Sequence, residues 1–225
     1  CVPLAGGLVL DASGLNRLLE LDPSTGVFTA EPGLLLGDLE QQLQQRGYEP
    51  RLLPSTVRSA SLGGFVAGGS GGIGSLRWGF LRDPGHLLGL EIVTLEAEPR
   101  QLQLDAAAAR ALNHAYGCNG IVTSLTMASA AAVPWQQLVL EFPNWEAALA
   151  AAQRLPASAL LLQELCLLEA PLAALMPWPQ GCPPPPAAGG HRLLLLAAPE
   201  ALPVLQGWLP ELGGVLLDRK STRLN

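Results

Sequence analysis

A chain of 225 residues, 49% of them apolar, can build one large domain or one and a half smaller ones with a sizeable core, which argues against general disorder. A net charge of -6 from only thirteen Lys and Arg, with a pI near 5.0, argues against nucleic acid or an anionic membrane surface as partner. No apolar run reaches the roughly eighteen residues a membrane span needs, and the four scattered cysteines lack any C-x-x-C pair. Free thiols in a reducing, cytoplasmic setting are therefore expected, with no metal site and no disulfide framework.

In chain order, residues 8–11 (LVLD) suggest a short buried strand. Leu15, Leu18, Leu19 and Leu21 then form an apolar patch that runs into the turn Asp22-Pro23-Ser24-Thr25-Gly26. Residues 27–30 follow as a strand stopped by Pro32-Gly33. Leu36, Leu39 and Leu43 recur at helical spacing, with Asp38 and Glu40 near the start and Arg46-Gly47 at the end, which predicts an amphipathic helix. Residues 54–79 read PSTVRSASLGGFVAGGSGGIGSLRWG and carry eight glycines, so a loop kept for its backbone is expected there. Beyond it, 88–95 suits a strand buried on both faces, 101–104 a partner strand and 106–112 a short helix. The turn Gly117-Cys118-Asn119-Gly120 delivers a β-branched strand over 121–127.

Composition changes over 128–134, where a domain boundary is expected. The second half predicts a strand at 137–142 and a helix capped by Asn144 with Trp145, Ala148, Leu149 and Ala152 on one face. Residues 159–168 read as a strand, with a helix left open by their leucine content. An extended linker or exposed loop over 177–190 comes next, then a strand at 191–198, a helix at 202–212 and a strand-like VLL at 215–217. The first residue is not Met and the tail DRKSTRLN turns abruptly basic. The chain is thus expected to be an internal piece: a first domain over 1–130, a partial second one over 131–217, and a non-native tail over 218–225.

The glycine segment carries the functional signal, because residues without a Cβ let main-chain amides approach an anion and make a diphosphate cradle. A bare surface excursion is disfavoured by the interleaved Leu62, Phe65, Val66, Ile73, Leu76 and Trp78, which would pin the segment to a core. Gly69-x-Gly71-x-x-Gly74 matches the dinucleotide fingerprint, and Glu96 lies about where a ribose-binding acid would be. That fingerprint must follow a buried strand and open a helix, and neither flank complies. A Walker loop is excluded for want of Gly-Lys-Ser/Thr. His86 and His114, the histidines nearest these motifs, read as structural or surface residues.

The succession of PS, SLGG, a Gly/Ala/Ser run ending RWG, a buried LEIVTL strand and then GCNGIVTSLTMA resembles the FAD-binding domain of the vanillyl-alcohol-oxidase or PCMH type, nearest its glycolate and D-lactate dehydrogenase branch. Glu31-Pro32-Gly33 and Gly37-Asp38-Leu39 are similar to that family's connection between its two cofactor loops. The resemblance implies an α+β fold, with a mostly antiparallel sheet flanked by helices followed by a partial cap domain, and FAD as cofactor. By position, Pro54, Ser55, Ser61, Leu62, Gly63 and Gly64 would contact the diphosphate and ribityl chain. Ala67, Gly68, Ser70 and Gly71 would pass beside the isoalloxazine, and Gly120, Ile121 and Val122 would meet the adenine side through main-chain groups. The activity implied is oxidation of a 2-hydroxy acid of glycolate or D-lactate type by hydride transfer to flavin N5, with the electron acceptor and catalytic base unassigned. The rivals are an NAD-binding Rossmann dehydrogenase and a flavin-free subunit working with a catalytic partner. The chain departs from the family in three ways: its first glycine-rich loop is absent, Phe65 stands where many relatives have Asn, and the late histidine and acidic residues have no match.

Overall fold

Asp22 fixes the first hairpin. Its carboxylate accepts from the Ser24 hydroxyl and Thr25 hydroxyl, each at 2.7 Å, and from the Ser24 amide at 2.8 Å, and these bonds hold it at a pKa of about 2. The turn joins β1 (Leu18–Leu21) to β2 (Val27–Ala30). From there the chain forms α1 (Leu36–Gln44), β3 (Tyr48–Pro50), α2 (Leu62–Gly68), α3 (Ser75–Trp78), β4 (Leu87–Val93), β5 (Gln101–Asp105), α4 (Ala106–Ala109) and β6 (Ile121–Ala131). It continues through β7 (Gln136–Phe142), α5 (Trp145–Arg154), β8 (Leu162–Leu168), α6 (Ala170–Leu175), β9 (His191–Ala197), α7 (Ala201–Leu212) and β10 (Val215–Ser221). The structure, a computed structural model, describes residues 5–69, 71–178, 181–186 and 189–221.

Two units emerge. The first takes the chain up to Gly72 together with Gly79–Ala132. Its sheet runs β1-β2-β6-β4-β5, with β3 pairing the end of β6. Strand alternation buries Phe28, Ala30, Leu90, Leu125 and Met127, and Phe28 and Met127 line a small cavity with Leu36 and Leu39 of α1 and Leu62 and Phe65 of α2. Every strand pair among the described residues is antiparallel, so no parallel β-α-β unit surrounds the glycine segment and the Rossmann rival is excluded.

The second unit takes Ile73–Trp78 and the chain from Val133 onward. Its antiparallel sheet has the order β10-β7-β9-β8, and Leu138, Leu140, Phe142, Leu193 and Leu195 face the apolar sides of α5 and α7. β8 is one of its two edge strands, and the Gly74 amide reaches its Gln163 carbonyl at 3.0 Å. On the opposite face Arg192 is fully buried. Its guanidinium bonds Glu141 at 2.9 Å and the Pro183 carbonyl at 2.6 Å, and lies 4.1 Å from the Trp178 ring centroid.

Several expectations need correction. Residues 8–11 form no strand, and Leu8, Val9 and Leu10 are exposed, because no neighbouring strand pairs with them. The glycine segment is not all loop, since Leu62, Phe65 and Val66, spaced i, i+3, i+4, bury one face of α2 and outweigh its glycines. β4 is only partly buried on one face. On α5 Asn144 does cap, accepting the Ala147 amide at 2.9 Å, but the inward face is Ala148 and Ala151, continued by Leu155, while Leu149 stays exposed. The described part of 177–190 is extended but not a free spacer, because Cys182 is buried and Pro183 is tied to Arg192. α6 has no counterpart in the sequence reading, and β10 runs on to Ser221, its partner being β7.

Candidate cofactor site

The site is built around α2. Ser61 is its N-cap, its hydroxyl accepting the Gly64 amide at 3.2 Å, and Gly69 in the left-handed conformation (φ 62°) closes its far end with its amide on Phe65 and Val66. Two chain segments grip this short helix. At its start, the Leu62 amide donates to the Leu34 carbonyl and the Gly63 amide to the Pro32 carbonyl, both at 2.8 Å, and Leu35 bridges Ser61. At its end, the amides of His114 and Tyr116 donate to the carbonyls of Val66 and Ala67 at 3.0 and 2.9 Å. The segment containing Ser61–Gly69 therefore lies against the turn that leads to Gly120 and β6.

The expected site residues fall into two groups. Pro54 lies beside Gly72, at which a Cβ would run into the Leu53 carbonyl, so the chain at Pro54 meets the chain next to Gly71. Ser61, Gly63, Gly64, Ala67 and Gly68 line α2. Gly120 (φ 138°) is packed on Ile92 and Val93, and Ile121 and Val122 pair with Val93 and Ile92 in the sheet. Leu62 is 1% exposed, so its side chain belongs to the core. Ser70 lies outside the described residues.

One expectation changes in kind. The amides of Leu62, Gly63 and Gly64 do not form an open nest, since all three are taken by the carbonyls of Leu34 and Pro32 and by the Ser61 hydroxyl. What the segment offers outward is the exposed Ser55 hydroxyl, the Ser61 hydroxyl, which keeps its own proton to donate, and the exposed Gly64, whose missing Cβ would meet nothing but the Ser61 oxygen. Neutral hydroxyls beside an uncovered glycine suit a diphosphate and a polyol chain held by dipoles, so the residues present fit FAD with hydroxyls in place of those amides.

Sequence reasoning missed the support behind the site. Glu31 is 5% exposed; its carboxylate accepts the Arg17 amide and guanidinium, each at 2.8 Å, and these contacts hold its pKa below the usual carboxylate range. The motif Glu31-Pro32-Gly33 was visible, but nothing local pointed to Arg17. His86 is buried in the first unit's core. His114 and Tyr116 both adopt positive φ, and the imidazole Nε2 lies 3.1 Å from the phenol oxygen. Among the described residues there is no His, Cys, Asp or Glu cluster able to hold a metal and no helix long and apolar enough to cross a membrane.

Residues 1–102 match the family model described as the FAD binding domain. That part of the chain is similar to the FAD-binding domains of FAD-linked oxidoreductases, and FAD is the cofactor the match supports. Over 93 residues, 40% of the chain, it is 34% identical to glycolate oxidase subunit GlcD of Bacillus subtilis (strain 168). Over 92 residues, 41% of the chain, it is 34% identical to the mitochondrial D-2-hydroxyglutarate dehydrogenase of Danio rerio. The matched stretches span 19% and 17% of those two proteins. A solved alkyldihydroxyacetonephosphate synthase superposes on 92% of the chain with a TM-score of 0.75 at 16% identity, the match covering 42% of that structure, and so shares the fold.

Proposed function

We propose that this chain is part of an FAD-dependent oxidoreductase that oxidises the CH–OH group of a small 2-hydroxy acid, of the glycolate or D-lactate type. FAD, when bound, supplies the acceptor for the hydride leaving the α-carbon. The observation that carries the reading is the clamping of α2 between residues 32–35 and 114–116, which fixes the Ser61–Gly68 surface in an FAD-binding domain. The chain's own part is to bind and orient. Ser55 and Ser61 donate to the diphosphate and ribityl oxygens, Ala67, Gly68 and Gly71 flank the ring system, and Gly120, Ile121 and Val122 support the adenine. We assign the second unit as a substrate domain.

The test is anaerobic mixing of the purified holoprotein with glycolate, D-lactate and D-2-hydroxyglutarate. Loss of the flavin absorbance near 450 nm is expected with at least one of them, and a spectrum left unchanged by all three rejects the substrate class. A second reading, a flavin-free subunit that works beside a homologous catalytic chain, is favoured by the subunit status of the Bacillus protein. It requires copurification with such a chain and no flavin of its own.

A further inference from the structure

Glu31 is not one of the candidate cofactor-binding residues, yet its carboxylate is firmly bonded behind them. Its own amide donates to the Arg17 carbonyl at 2.9 Å, its Oε2 accepts the Arg17 amide at 2.8 Å, and its Oε1 accepts Arg17 Nη2 at 2.8 Å. The next residue, Pro32, presents its carbonyl to the Gly63 amide, and Leu34 presents its own to Leu62. There is no slack in the linkage, because a Cβ on Gly63 would lie 2.5 Å from Pro32 Cβ, and one on Gly33 would strike the carbonyls of Ala12 and Leu15. Two backbones in glycine-limited contact move together, so a displacement of residues 31–34 is passed to Ser61 and Gly64 rather than absorbed.

We propose that the Arg17–Glu31 pair is a positioning device for FAD, which locks the Pro32–Leu34 turn and through it holds Ser61 and Gly64 in the arrangement that receives the cofactor. The inference rests on the FAD assignment and is independent of the substrate. A buried carboxylate is costly to keep unless paired, and the Arg17 side chain is otherwise exposed, so the pairing supplies geometry that a surface arginine alone would not.

The test is FAD titration of the flavin-stripped full-length protein, followed by flavin fluorescence and by the shape of the bound flavin's absorbance band. Glu31→Gln, which keeps the volume and removes the charge, is expected to raise the FAD dissociation constant about tenfold or more and to shift the bound spectrum, since hydrogen bonds to a charged group are worth that much. Glu31→Asp, which keeps the charge, is expected to recover most of the affinity. Leu43→Ala, a fully buried position on α1 away from these bonds, serves as the control. At equal loss of melting temperature it should leave affinity and spectrum near those of the unmodified protein. If Glu31→Gln weakens FAD no more than Leu43→Ala does, or if Glu31→Asp recovers nothing, the pair serves only the fold and the inference fails. Failure of the unmodified protein to take up FAD removes the cofactor assignment and this inference together.

Discussion

Gly63→Ala separates two reasons for a glycine beside a cofactor. Gly63 sits inside α2 with ordinary helical φ, so alanine there should gain about 1 kcal/mol from helix propensity. Against that gain, the new methyl would be placed 2.5 Å from Pro32 Cβ and 3.0 Å from the Pro32 carbonyl oxygen. Optimal carbon separations are about 3.5–4.0 Å, and the proline ring cannot rotate away. Overpacking of this kind costs up to about 3 kcal/mol, which leaves a net loss near 2 kcal/mol. For a chain of this size that corresponds to a fall in melting temperature of about 4–8 °C. Gly64→Ala is the internal comparison, because its methyl would meet only the Ser61 hydroxyl at 3.0 Å, a side chain that can turn, and a change within about 1 kcal/mol is expected. Both variants are measured without FAD by thermal denaturation followed by circular dichroism. A Gly63→Ala protein as stable as the unmodified one refutes the steric argument and would mean that the glycine is kept for the ligand instead.

Two further predictions concern the second unit. Glu164 is half-buried on β8, and burial raises its pKa above the ordinary value. An acid whose folded-state pKa is raised weakens the fold as pH climbs through the window from its unfolded pKa upward, so Glu164→Gln should raise the melting temperature at neutral pH and lose that advantage below about pH 4. An equal gain at both pH values would contradict this. Arg192→Met removes one partner of a buried pair and takes the guanidinium donor from both Glu141, whose side chain is only 19% exposed, and the Pro183 carbonyl. A loss of about 3 kcal/mol in urea denaturation is expected, with most of it recovered when Glu141→Leu is added. No recovery in the double variant would show that packing on Trp178, rather than charge, is what Arg192 contributes.

What could be read from the sequence was whatever is encoded within a few residues. Asp22 with Ser24 and Thr25, the Leu36, Leu39, Leu43 stripe, and Asn144 ahead of Ala147 each carry their structure locally, and each appears where expected. α2 was hidden because its glycines lower helix propensity, although the Ser61 cap and the Leu62, Phe65, Val66 spacing were present. The fate of the amides at 62 and 63 could not be read at all, since their acceptors Leu34 and Pro32 lie some thirty residues upstream and carbonyls are the same in every residue. Arg192 beneath Trp178 and Pro183 is the same kind of case: a proline-rich stretch looks like a spacer until a buried cation claims one of its carbonyls.

The docking of Ile73–Trp78 on β8 means that the polypeptide crosses between its two units three times, near residues 72, 78 and 132. No single cut separates them cleanly. A fragment ending at Ala132 would carry that hexapeptide away from its strand, and one beginning at Val133 would present a bare sheet edge open to pairing with other chains. Losing that hexapeptide strips a stabilising piece from the second unit, so the glycine-rich segment serves the folding of β8 as well as any ligand.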